Sequence, residues 1–201
     1  KTHKKAFCPP ITLTPTLTPA SDWRAPQRIE LDASSSSQQL SALLMIGPCT
    51  GSGLEVTLQS ELPSQPYVDL TLAVMRCFGG RAEITNRDYR LAPGGYRAAE
   101  YAVEGDHSSA SYVWTAAKLK NKPVTIKNLR PDSLQGDRHF QRILARLAAD
   151  TNEPVELSMK EMPDVAPTAA VYALFRQAST TIRSLTHLRY KDCGRLAVFS
   201  R

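Results

Sequence analysis

The sequence has no long apolar run. No stretch of its 201 residues approaches the roughly 18 consecutive apolar residues that a membrane-spanning helix needs. The basic amino-terminal residues 1–5 are not followed by the apolar segment of a secretory signal peptide. Apolar residues still make up 42% of the chain, which is enough to build a buried core. We therefore expect a globular, cytoplasmic protein that does not contact a membrane.

Patterns typical of metal sites and disulfide frameworks are also missing. The four cysteines and four histidines are Cys8, Cys49, Cys77, Cys193, His3, His107, His139 and His187. The cysteines form no CxxC pair and have no spacing typical of a metal site, and the histidines are scattered. These spacings predict reduced thiols and no metal centre.

The charge is moderately basic. The chain has 25 lysines and arginines against 19 acidic residues, a net charge of +6. Basic residues are densest between 118 and 146, but no aromatic residues alternate with them as they do on single-strand binding surfaces. We therefore expect small anionic ligands rather than nucleic acid as partners.

Strand-like and helix-like segments alternate along the chain. After a strand at 11–14, the first half contains predicted strand 29–31, helix 38–46, strand 54–59, helix 66–78 and a hairpin of 82–84 with 89–91. The second half contains strand 101–103, helix 109–119, strand 124–129, helix 138–148 and strand 155–159. Helix 165–175, strand 180–185 and helix 195–199 begin a third copy. Aligning Ser36-Ser37 with Ser108-Ser109 gives a repeat of roughly 70 residues, which suits a duplicated α/β module.

The two aligned serine clusters open apolar helices. Exposed N–H groups and the positive end of the helix dipole make such an end suitable for binding phosphate or carboxylate. Alternatively, each serine is only an N-cap, which contributes about 1 kcal/mol. The sequence leaves both interpretations open.

Further polar segments lie where a strand leads into a helix, the edge at which α/β proteins bind ligands. They are residues 64–69, 133–137, 162–164 and 189–195. Asp164 could cap the next helix, and Lys191 with Arg195 could form a solvated charged turn. Alternatively, the two basic residues hold an anion while Asp164 and Asp192 transfer protons.

Six motifs together resemble a known family. They are Asp32-x-Ser34-x-Ser36-Ser37-Gln38, Ser64-x-Pro66-Tyr67-x-Asp69-x-Thr71, Val103-Glu104-Gly105-Asp106-x-Ser108-Ser109-Ala110-Ser111-Tyr112, Gln135-Gly136-Asp137, Pro163-Asp164 and Arg189-x-Lys191-Asp192-x-x-Arg195. In this order and at compatible spacing, over about residues 29 to 201, they resemble 5-enolpyruvylshikimate-3-phosphate (EPSP) synthase.

The resemblance implies an α/β (α+β) fold of two domains, each built from βαβαββ units, with the active site in the cleft between them. It also implies transfer of the enolpyruvyl group from phosphoenolpyruvate to the 5-hydroxyl of shikimate-3-phosphate, in aromatic amino-acid biosynthesis, with no metal or organic cofactor. Residues 1–98 would be the latter part of one domain and 99–201 the middle part of the other.

Site residues follow from the same resemblance. Those for shikimate-3-phosphate are Ser36, Ser37, Gln38, Ser64, Tyr67, Asp164, His187 and Lys191. Gln38 and Arg195 would contact phosphoenolpyruvate, while Asp164 and Asp192 would act as acid and base.

The motif around Lys191 departs from the family pattern. The chain has Lys191-Asp192-Cys193-Gly194-Arg195 where the family has Lys-Glu-Thr-Asp-Arg, and His187 where many members have asparagine. Basic residues that the family carries near its two termini have no counterpart. We therefore expect the isolated chain to be inactive or weak without the remainder of the protein. The alternatives are a non-catalytic relic that only binds anions and the related enzyme that acts on UDP-N-acetylglucosamine.

Overall fold

The structure is a computed structural model, and it describes residues 24–185 and Leu188. Some predictions lie outside these residues: strand 11–14, helix 195–199 and the site residues His187, Lys191, Asp192 and Arg195.

The first half forms one mixed four-stranded sheet with two helices. Its elements are β1 (Gln27–Leu31), α1 (Gln38–Ile46), β2 (Leu54–Leu58), α2 (Gln65–Cys77), β3 (Ala82–Thr85) and β4 (Asp88–Leu91). The strand order is β1-β2-β4-β3, with β1 parallel to β2 and β4 antiparallel to both of its neighbours. Each predicted element of this half is confirmed, with shifts of only a few residues at its ends.

Apolar periodicity explains these elements. Leu54, Val56 and Leu58 alternate along β2 and are buried, as expected for a strand with one face in the core. Leu40 and Leu44, four residues apart on α1, are fully buried and face the same core. Side chains from α2 and β4 complete this cluster.

Two tight connections hold the sheet in register. Asn86, at φ 55°, lies between β3 and β4 in the left-handed region that asparagine tolerates. Gly53 precedes β2 at φ +85°, and a Cβ there would overlap the backbone carbonyl of Leu91. Glycine is therefore required where the start of β2 meets the end of β4.

The second half is dominated by helices. Its elements are α3 (His107–Leu119), α4 (Phe140–Ala149), β5 (Val155–Ser158), α5 (Ala166–Ala173) and β6 (Thr180–Arg183). β5 and β6 pair in parallel across α5, and a separate apolar cluster centred on Phe140, Leu147 and Val165 packs beneath them. Within the described residues, no helix has the length and apolar content to cross a bilayer.

Two predicted strands of the second half are wrong. Residues 101–103 and 124–129 form no strand. A single backbone hydrogen bond connects the two parts of the chain, from Gly105 N, just after the first segment, to Asn128 O in the second, at 2.6 Å. Asn128 has φ 64°, which interrupts an extended backbone. In the first half, β2 pairs with β1 on one side and with β4 of the hairpin on the other. In the second half, α4 is followed directly by β5, so there is no hairpin that could pair with 124–129.

The predicted boundary after residue 98 falls between the two apolar clusters, which span residues 29–91 and 114–188. The division into two domains stays a prediction.

Candidate functional site

The two halves meet at a tyrosine between two carboxylates. Tyr67, in the first turn of α2, places its Oη 2.9 Å from Asp137 Oδ2 and 2.9 Å from Asp164 Oδ2. Asp137 precedes α4 in a 3₁₀ turn, and Asp164 lies in the turn that leads into α5. One hydroxyl group thus joins Tyr67 to two carboxylates that lie 70 and 97 positions further along the sequence.

The environment keeps this hydroxyl protonated. Burial, with further contributions from Asp137 and Asp164, raises the pKa of Tyr67 far above its ordinary value of 10.0. A phenol has only one hydrogen to donate, so the two carboxylates compete for it. Tyr67 therefore orients the Asp164 carboxyl group and couples it to Asp137.

A cavity of about 340 Å³ lies against this contact. Its lining includes every sequence-predicted site residue that the structure describes: Ser36, Ser37, Gln38, Ser64, Tyr67 and Asp164. The N-terminal ends of α1 and α2 supply five of these residues, and the second half supplies Asp164. Segments that are distant in sequence thus converge on one cavity between the halves.

The serine hydroxyls in this cavity form few hydrogen bonds with the backbone. Ser37 and Ser64 occupy the N-cap positions of α1 and α2, but neither side chain makes a capping hydrogen bond. Both residues thus have the predicted N-cap position but do not form the hydrogen bond through which an N-cap stabilises a helix. Ser36 is used in part, since its Oγ accepts a hydrogen bond from Gln38 N at 3.2 Å.

Ser64 also has an unusual backbone. Its φ of 57° is in the left-handed region, which is uncommon for a residue other than glycine, and its side chain is buried. Such conformations cost of order 1–3 kcal/mol and are concentrated at functional sites. The turn that begins α2 therefore holds Ser64 against the cavity.

The second serine cluster has the opposite arrangement. The Asp106 carboxylate accepts hydrogen bonds from Ser108 N and Ser109 N, at 2.9 and 3.1 Å, and from Ser109 Oγ. Ser111 Oγ donates to Ser108 O at 2.6 Å. The N-cap of α3 is thus Asp106 rather than a serine, and its carboxylate already occupies the helix end that an anion would otherwise use.

Asp164 does not cap the helix that follows it. The N-cap of α5 is Val165, the turn before it is capped at Met162, and neither makes a side-chain cap bond. The alternative that Asp164 only caps this helix is therefore wrong. Its carboxylate is instead directed toward Tyr67 and the cavity.

A second cavity of about 470 Å³ adjoins the first and shares Tyr67, Leu70 and Asp164 with it. Its lining adds Asp137 and Tyr112, to which the sequence analysis gave no role. The motif Gln135-Gly136-Asp137 contained the signal for Asp137, but nothing in its spacing indicated contact with Tyr67. Among residues 24–185 and Leu188, no group of three or more histidine, cysteine or acidic side chains could hold a metal ion.

Comparison with known proteins identifies the family. A family model described as EPSP synthase (3-phosphoshikimate 1-carboxyvinyltransferase) matches residues 2–201. The chain belongs to the EPSP synthase family.

Curated relatives agree with this assignment. Over 188 residues, 86% of the chain, it is 36% identical to the 3-phosphoshikimate 1-carboxyvinyltransferase of Proteus mirabilis, of which it covers 44%. Over 189 residues, again 86% of the chain, it is 39% identical to the protein of the same name from Syntrophobacter fumaroxidans, of which it covers 45%. The chain thus spans less than half the length of these EPSP synthase relatives.

Proposed function

We propose that this chain carries the shikimate-3-phosphate site of an enzyme that transfers the enolpyruvyl group from phosphoenolpyruvate to the 5-hydroxyl of that substrate. One observation carries the proposal: the six described residues that the family resemblance assigns to substrate all line a single cavity. Membership of the EPSP synthase family supports the reaction class.

The phosphate group of shikimate-3-phosphate would bind at the N-terminal ends of α1 and α2. Ser36, Ser37 and Ser64 offer hydroxyl donors there, and both helix ends direct backbone N–H groups and positive dipole character outward. Neither helix has a side-chain capping bond, so no acidic side chain of the protein occupies the N–H groups at these ends as an N-cap.

Acid–base chemistry would fall to Asp164. The reaction adds a proton to the methylene carbon of phosphoenolpyruvate while the substrate hydroxyl attacks the adjacent carbon and loses its own proton. The tetrahedral intermediate then expels inorganic phosphate, and the new methyl group loses a proton to regenerate the double bond. Asp164 would accept the hydroxyl proton, and Tyr67 would hold the carboxylate in position for that transfer.

The phosphoenolpyruvate side of the site remains a prediction from the sequence. Gln38 lies in the described cavity and would approach the reacting centre. Arg195 would bind the phosphoenolpyruvate anion, Lys191 and His187 would contact shikimate-3-phosphate, and Asp192 would be the second proton-transfer group; all four lie outside the described residues.

Calorimetric titration with shikimate-3-phosphate tests the proposed binding site. A charge-assisted hydrogen bond contributes about 1.5–3 kcal/mol, so Ser37→Ala should weaken binding by about 10- to 150-fold. The control is Ser158→Ala, an exposed serine of β5 whose hydroxyl is bonded to Ser184 and which lines neither cavity of the candidate site. Equal losses in the two variants, or no binding by the parent chain, would contradict the assignment.

Adding phosphoenolpyruvate to the same titration separates a synthase from a relic. An EPSP synthase site should bind the two ligands with mutual dependence, whereas a relic should bind shikimate-3-phosphate independently or not at all. We also propose that the isolated 201-residue chain turns over slowly, because it spans less than half of its relatives. A phosphate-release assay at a rate near that of a full-length enzyme would refute this.

A further inference from the structure

A third cavity, of about 590 Å³, lies in the second half. It is bounded by α3, the irregular segment 124–131, and the 3₁₀ turn and first residues of α4. We call it the Trp114 cavity; the residues that matter are His107, Trp114, Ile126, Arg130, Arg138 and Arg142. None of the residues that line the two cavities of the candidate site also lines this one.

Comparison of the two halves explains why this space is open. In the first half β4 pairs with β2, and Tyr89 and Leu91 of β4 are buried in the core beside α1 and α2. In the second half, the segment 124–129 follows α3 as β2 follows α1, but the chain continues from α4 to β5 without a hairpin. The Trp114 cavity lies beside this unpaired segment.

The walls of the cavity are cationic. Arg130, Arg138 and Arg142 line it together with His139, and its lining includes no carboxylate. Arg130 is engaged by Asp132 at 2.8 Å, whereas Arg138 and Arg142 form no ion pair with any described residue. Desolvation, with added repulsion from Arg138 and Arg142, lowers the pKa of His139. Asp132, outside the lining, interacts electrostatically with Arg138 as well as with Arg130.

A buried imidazole adds a second, independent observation. His107 is only 5% exposed, yet neither of its ring nitrogens has a hydrogen-bond partner among the described residues. Leaving a buried polar group unpaired costs about 1–3 kcal/mol, so such groups in native proteins call for an explanation. The ring of His107 lies against Trp114, with centroids 5.9 Å apart, so polar and aromatic groups line the same wall.

We propose that the Trp114 cavity binds an organic anion that combines an aromatic ring with a carboxylate or phosphate group. Trp114 and Ile126 provide the apolar surface for the ring, while Arg138 and Arg142 attract the charged group. His107 offers ring nitrogens that have no hydrogen-bond partner among the described residues. The volume lies within the range of small-molecule sites.

Tryptophan fluorescence gives a direct test. The chain has two tryptophans, so Trp23→Phe leaves Trp114 as the only one. The probes are phenyl phosphate, benzoate, the neutral benzyl alcohol and inorganic phosphate. We expect phenyl phosphate and benzoate to change the emission of Trp114 saturably at millimolar concentration or below, and benzyl alcohol and inorganic phosphate to bind at least tenfold more weakly.

Three variants locate the site. Arg138→Gln with Arg142→Gln should weaken the binding of phenyl phosphate at least tenfold. Arg146→Gln should not, because Arg146 is an exposed arginine on α4, with Arg142, but outside the lining. His107→Leu should also weaken the probe, yet raise the melting temperature because it removes the unpaired buried group. Unfolding by circular dichroism verifies that each variant is folded.

Several outcomes would overturn the proposal. Equal binding of benzyl alcohol and phenyl phosphate would show that the cavity recognises only the apolar ring. Equal binding of inorganic and phenyl phosphate would show that it recognises only the charge. No binding at millimolar concentration, or equal loss in Arg146→Gln, would exclude the site. Because the titrant is not shikimate-3-phosphate and the residues are separate, failure here leaves the proposed function unaffected.

Discussion

Replacing Tyr67 by phenylalanine tests the contact that joins the two halves. The substitution keeps the ring that packs between α2 and the second half and removes only the hydroxyl that contacts Asp137 and Asp164. Because the phenol has one hydrogen, the loss corresponds to a single charge-assisted hydrogen bond, about 1.5–3 kcal/mol in the free energy of unfolding. For a chain of 201 residues this corresponds to a decrease of about 3–12 °C in melting temperature.

Tyr96→Phe is the matched control. It makes the same chemical change, but Tyr96 Oη donates to the neutral backbone carbonyl of Met45 at 2.7 Å, a contact exposed to solvent. We expect this variant to lose no more than about 0.5–1.5 kcal/mol. The measurement is urea unfolding followed by fluorescence and circular dichroism, with coincident transitions required.

A double-mutant cycle then isolates the pair. In an Asp164→Asn background the cost of Tyr67→Phe should decrease, with a coupling energy of about 0.5–3 kcal/mol. If Tyr67→Phe costs no more than Tyr96→Phe, and its effect is unchanged in Asp164→Asn, then Tyr67 does not orient the carboxylate and its place in the mechanism is lost.

Three further variants probe the scaffold. Asp106→Ala removes the cap of α3 and should cost about 0.5–2 kcal/mol in urea unfolding, whereas Asp106→Asn should retain much of the cap. Gly136→Ala should lower the melting temperature, at a cost of about 1–3 kcal/mol, because its Cβ would overlap the carbonyl of Glu161 and contact Pro66 where the halves meet. The folded-state pKa of His139 lies below its ordinary 6.5, so the folded protein binds fewer protons than the unfolded chain. Its contribution to stability should therefore fall as pH drops through about 6.5 toward the folded-state pKa, a dependence that His139→Gln should remove.

The first half could be predicted because its patterns are local. Leu54, Val56 and Leu58 alternate within five residues, and each helix has its own apolar stripe. The strands at 101–103 and 124–129 have similar patterns and still form no ladder. A strand needs a partner. In the first half the partner of β2 comes from a hairpin more than twenty residues further along the chain, and no such hairpin follows 124–129.

The candidate site, too, could be predicted only in part from the sequence. Family motifs pointed to Ser36, Ser37, Gln38, Ser64, Tyr67 and Asp164, and the structure places all of them around one cavity. Their roles stay predictions until a ligand is measured. The contact of Tyr67 with Asp137 could not be foreseen, because it depends on how two separate apolar cores are positioned.

The two serine clusters differ by one carboxylate. In the second repeat Asp106 immediately precedes α3 and accepts from the amides of its first turn. In the first repeat the acidic residue is Asp32, which accepts from Ser34 N, ahead of α1, and leaves the helix end without a side-chain cap. Under the alignment of Ser36-Ser37 with Ser108-Ser109, Asp106 falls opposite Ser34, two residues beyond Asp32. Because Glu104 is aligned with Asp32, Asp106 is an additional acidic residue of the second repeat. An aspartate at the position of Ser34 thus accounts for the side-chain cap that α3 has and α1 lacks.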